Sequence, residues 1–121
     1  MEIDFIRQVA PTVVDLPGGK VKLLFTLRAA AEMEAEFQAP YLAVVYEALG
    51  LTPEGKPSSP MPLARQARLA AILMRAGGQD VDAEALMQLH MEDFALLAAG
   101  MVQEMFLKTP RGDKKKAGAA G

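Results

Sequence analysis

Read for the spacing of its apolar positions, the chain begins without a clear period over residues 1–10 and then turns strand-like. Residues 12–16 are β-branched and apolar, Pro17-Gly18-Gly19 punctuates them, and residues 20–27 resume an extended pattern. This predicts an antiparallel hairpin. In its second strand Val21, Leu23, Phe25 and Leu27 fall on one face and Lys20, Lys22 and Thr26 on the other, with Leu24 interrupting the polar side.

After Thr26 the period changes to that of a helix. Ala29-Ala30-Ala31-Glu32-Met33-Glu34-Ala35-Glu36 is a run of strong helix formers behind a hydroxyl able to cap the first amides. Ala30, Met33 and Phe37 give its core face, and Pro40 ends it. A second helix is predicted over residues 40–49, closed by Gly50. Residues 51–60, with three prolines, two serines and a glycine, read as the main loop. A third helix follows over residues 61–76, stopped by Gly77-Gly78. The fourth and longest is predicted from about residue 82 to 107, with Val81 and Leu86 as a hydrophobic staple at its start.

A length of 121 residues suits one modest core, and 51% apolar with 23% charged residues is the balance of a folded protein. Charge is distributed unevenly. Residues 1–107 carry 8 basic and 14 acidic side chains, net −6, whereas residues 108–121 carry 5 and 1, net +4. The expected organisation is therefore a single α+β domain, residues 1–107, followed by a disordered basic tail, residues 108–121. An acidic body argues against nucleic-acid binding, which needs a local excess of Lys and Arg. With no cysteine there is neither a disulfide framework nor a thiolate metal site. Acids near the N-terminus and apolar runs too short to span a bilayer point to a cytoplasmic protein outside the membrane.

Candidate catalytic chemistry is thin. His90 is the only histidine, and a Ser/His/Asp arrangement would have to reach it from Ser58 or Ser59 in the proline-rich loop. His90 with Glu92 and Asp93 lacks a recognised zinc spacing. Pro17-Gly18-Gly19-Lys20 leads into a strand and not into a helix, so it reads as a turn and not as a phosphate loop. Arg111-Gly112-Asp113 is a chance string, and Glu32 and Glu36 form a surface acidic stripe. No enzyme activity, cofactor or metal is expected.

Two stripes are candidate binding surfaces. Met87, Met91, Phe94, Ala98, Met101 and Met105 recur at spacings of 4, 3, 4, 3 and 4, continuing to Phe106. Flexible, polarisable methionines can fit a partner helix of variable shape, or the seam can be the domain's own core. Arg65, Arg68 and Arg75 share one side of the third helix, either as a solvated face or as a clamp for acidic helices or phosphates.

The run Val13-Val14-Asp15-Leu16-Pro17-Gly18-Gly19-Lys20-Val21-Lys22-Leu23-Leu24-Phe25-Thr26-Leu27-Arg28-Ala29-Ala30-Ala31-Glu32 resembles the opening of tail assembly chaperones of long-tailed bacteriophages and related gene transfer agents. The later Leu69-Ala70-Ala71-Ile72-Leu73-Met74, Gly77-Gly78 and Val81-Asp82 before a long final helix are similar in layout. The resemblance implies a cytoplasmic helper in the bacterial host cell that binds the tape measure protein during tail assembly and is absent from the finished particle. It also implies a homo-oligomer, or association with a longer form made by ribosomal frameshifting. Lys114-Lys115-Lys116 permits A-rich codons on which a ribosome can slip. The expected function is thus a tail assembly chaperone, against the alternatives of a structural virion protein of the neck or tail and of a DNA-binding regulator.

Overall fold

A computed structural model describes residues 9–107. Residues 1–8 and the basic tail, residues 108–121, lie outside it, and with them Lys114-Lys115-Lys116 and Arg111-Gly112-Asp113. The described chain is α+β: strands β1 (Thr12–Leu16) and β2 (Gly19–Leu23) precede helices α1 (Leu27–Phe37), α2 (Tyr41–Ala48), α3 (Leu63–Ala76), α4 (Ala83–Leu86) and α5 (Met91–Val102), and a π-helical turn, Gln103–Leu107, continues α5. One apolar cluster runs through all of it, from Val21 and Leu23 through Met33, Val44, Leu69, Ile72 and Leu73 to Leu97 and Met105.

The hairpin forms as its sequence requires. Pro17-Gly18 is a two-residue loop between Leu16 and Gly19, and Gly19 sits at φ 145°, where a side chain would be strained. The second strand, however, stops at Leu23, short of the expected residue 27. The Leu24 amide leaves the sheet to donate to the Leu73 carbonyl at 3.1 Å, and Thr26 then caps α1 by accepting from the Ala29 amide. Leu27 becomes the first residue of that helix, 88% exposed, instead of the last inward residue of a strand. Ala30, Met33 and Phe37 are buried, as the helical spacing predicts.

The predicted fourth helix, residues 82–107, is not one helix. Asp82 caps α4, whose four residues end in a turn, and His90 opens α5 with its Nδ1 accepting from the Glu92 amide at 3.1 Å. The backbone of His90, φ −66° and ψ 147°, breaks the helical path, and Glu92 and Asp93 then favour a new start because acids are stabilising in a first helical turn. The Val81–Leu86 staple survives, with Leu86 buried and Val81 packed on the core. The third helix begins at Leu63, since Pro62 occupies its cap.

Three features fasten the hairpin to the helices. Gly100 of α5 lies against it so closely that a β-carbon would overlap Val14 Cγ2 and approach Leu23 Cδ1 to 3.2 Å. Gly77, beyond α3, is required for a similar reason, because its β-carbon would sit 2.5 Å from the Lys22 carbonyl oxygen. Between them Glu104, only 5% exposed, accepts from Thr12 Oγ1 at 2.6 Å and from the Phe25 amide at 2.8 Å, tying the end of the last helix to both strands' open end.

Candidate functional site

The break at residues 87–90 decides what the methionine seam can do. Phe94, Met101 and Met105 are buried at 8%, 3% and 2% exposure and pack with Leu97 in the core. Met87 and Met91 stand on either side of His90 at the α4–α5 corner and are 51% and 59% exposed. Phe106 is 39% exposed at the far end. The seam expected as one stripe is therefore two things, an interior half and an exposed pair at the α4–α5 corner, because the break at His90 turns Met87 out of line with α5 and leaves Met91 in the exposed first turn of α5.

The more extensive apolar surface lies on the other side of α5. From Phe94 to Val102 that helix contains no polar residue, and Ala95, Leu96 and Ala99 face outward beside Met91. Leu96 is 51% exposed. A helix apolar on every side is ordinarily covered on every side. In the described chain one side has no cover, which makes it a candidate interaction surface by the same logic that marks any contiguous apolar patch. The spacing of the methionines marks the inward face, while the outward signal in the sequence is the absence of any polar residue over the nine positions 94–102.

The arginine face is already occupied. Arg65 makes a two-pronged ion pair with Glu47 of α2, Nε to Oε2 at 2.9 Å and Nη2 to Oε1 at 2.7 Å, and its guanidinium lies over the Phe37 ring, 4.7 Å from the centroid. Arg68 pairs with Glu36 at 3.5 Å and also approaches Phe37, and Arg75 pairs with Glu32 at 3.9 Å and donates to the Val81 carbonyl. The clamp for acidic helices thus closes on α1 and α2 of the same chain. Glu32 and Glu36, read as a solvated stripe, are its other half. With their charge matched at these distances, the three arginines present no cationic stripe to phosphates.

His90 is exposed, and its Nδ1 is engaged in the helix cap. Ser58 and Ser59 lie in the loop after Gly50, where the Ser58 amide donates to the Gly50 carbonyl. Among the described residues no three His, Asp or Glu side chains are grouped to hold a metal ion, and no helix is long and apolar enough to cross a membrane. A shallow open depression over the outer side of α1 is lined by Leu27, Ala31 and Ala35 with Arg28 and Glu32, without convergent polar groups. No family model, characterised protein or solved structure matches this chain.

Proposed function

We propose that this protein is a tail assembly chaperone, which binds the tape measure protein non-covalently in the cytoplasm of a bacterial host while the phage tail is built. The observation that carries the reading is the uncovered apolar side of α5 with Met91 and the neighbouring Met87, a surface suited to hold an apolar helical chain and to release it unchanged. No cofactor or turnover enters. Binding of this kind shields helix faces that would otherwise associate with one another until the tail closes around them. The resemblance of the hairpin and first helix to such chaperones supports the same reading. Engagement of Arg65, Arg68 and Arg75 by the chain's own acids weighs against the DNA-binding alternative.

Co-expression with a candidate tape measure chain tests the proposal. The wild-type protein is expected to move that chain into the soluble fraction and to co-purify with it. Met87→Glu with Met91→Glu, both at exposed positions, is expected to lose this effect while keeping the circular dichroism of the wild type. An insoluble tape measure chain in the presence of the wild type, or retention of the protein in purified particles, would overturn the reading.

A further inference from the structure

We infer that β1 is a dimerisation edge, along which two copies of this chain pair antiparallel to give one four-stranded sheet with Val14 next to its mate on the twofold axis. The two edges of the hairpin are treated differently. On β2 the Gln79 carboxamide takes the place of a neighbouring strand, its Oε1 accepting from the Lys22 amide at 2.8 Å and its Nε2 donating to the Lys20 carbonyl at 3.2 Å, and the Leu24 amide is taken by Leu73. On β1 nothing comparable occurs among the described residues. Because the Lys22 amide points away from β1, the Lys22–Val13 pair is one whose backbone groups face outward, and so is Lys20–Asp15. The amides and carbonyls of Val13 and Asp15 are therefore presented together on an open edge, beneath a 49% exposed Val13 side chain.

The sequence around that edge selects a single self-pairing. Opposing Val13 of one copy with Asp15 of the other lets both residues exchange hydrogen bonds in both directions. Opposing Val13 with Val13 sets Asp15 against Pro11, and opposing Asp15 with Asp15 sets Val13 against Pro17 while bringing two carboxylates face to face; each loses amide donors. The favoured register separates the two acids, each already bonded to its own Lys20 at 2.6 Å. Since the β2 edge is sealed, addition stops at two copies and no fibre grows.

Helix α5 completes the interface. Gly100 touches both Val14 and Leu23, so the helix runs beneath the middle of the hairpin. Strands about 4.8 Å apart then repeat it about 10 Å away across the twofold, the spacing at which helices pack. Leu96, roughly 40° around the axis from Gly100 at about 100° per residue, meets its counterpart with Ala99 small enough to allow close approach. Pairing is carried by the two unequal edges of the hairpin and not by the chaperone reading; it shares Leu96 and Ala99 of the outward α5 face with that reading but leaves Met87 and Met91 outside the interface, so Val13→Pro tests the pairing and Met87→Glu with Met91→Glu tests the chaperone contact.

Light scattering and sedimentation of the full chain should give twice its 13.0 kDa mass at tens of micromolar. Val13→Pro removes an amide that the hairpin does not use and should yield a monomer with unchanged circular dichroism, as should Leu96→Glu. The chain has no cysteine, so introduced ones report the register without ambiguity. Val14→Cys, with mates about 4.5 Å apart at Cα, should oxidise to a disulfide-linked dimer, whereas Asp15→Cys, with mates about 8 Å apart, should not. A wild type that stays monomeric at about 100 μM, a dimer indifferent to both Val13→Pro and Leu96→Glu, or cross-linking through Asp15→Cys in preference to Val14→Cys would overturn the inference. If Val13→Pro fails to fold, the cysteine pair and Leu96→Glu decide alone.

Discussion

Replacing Glu104 with Leu should cost about 2–3 kcal/mol of stability. The carboxylate accepts from a buried hydroxyl and a partly buried amide, and a hydrogen bond to a charged group contributes about 1.5–3 kcal/mol net. Removing both acceptors forfeits roughly 3–6 kcal/mol and strands two donors, while the added apolar side chain returns about 1–3 kcal/mol by burial and the charge no longer has to be desolvated. Glu104→Gln keeps an acceptor for the Phe25 amide and can donate to the Thr12 hydroxyl, so it should lose only about 1 kcal/mol. Urea unfolding with an unchanged m-value measures the difference, and amide exchange at Phe25 localises it, since that amide should exchange faster in Glu104→Leu than in Glu104→Gln. Thr12→Val provides the cycle: it should cost about 1 kcal/mol in the wild type and nothing, or a gain, in Glu104→Leu, where the hydroxyl has already lost this acceptor. A Glu104→Leu protein within about 0.5 kcal/mol of wild type, with Phe25 still protected, would refute the idea that this carboxylate fastens the last helix to the hairpin.

Gly100→Ala should destabilise by about 1 kcal/mol in chemical denaturation, because overpacking against Val14 outweighs the gain of about 1 kcal/mol in helix propensity, and Val14→Ala should rescue it in the double variant; a stabilised single variant would contradict this. Arg65→Lys should lose about 1 kcal/mol through its two-pronged bond and its stacking on Phe37, while Arg68→Lys, at 44% side-chain exposure and 3.5 Å from Glu36, should stay within about 0.5 kcal/mol. Equal losses at the two positions would show that the geometry does not distinguish them.

Local rules explain what could be read from the sequence alone. The hairpin, the cap at Thr26, the core face of α1, the proline boundaries and the glycine stop after α3 all depend on neighbours a few residues apart, and the α+β class followed from them. Tertiary structure decided the rest. A helix cap at His90 is a weak signal beside an unbroken apolar repeat, yet it turned one predicted helix into two, separated Met87 from Phe94, Met101 and Met105, and left Met91 in an exposed first turn. The arginines looked available because their acids lie 18 to over 40 positions away in the chain, on helices whose antiparallel packing sequence spacing does not encode. Glu104 would have been read as a surface residue, since only the fold brings Thr12 and Phe25 to it from 92 and 79 residues away. Periodicity reports that a face is apolar, but whether that face is covered depends on which elements arrive from elsewhere, and this is why α5 could be recognised as a helix from its sequence while its open side could not.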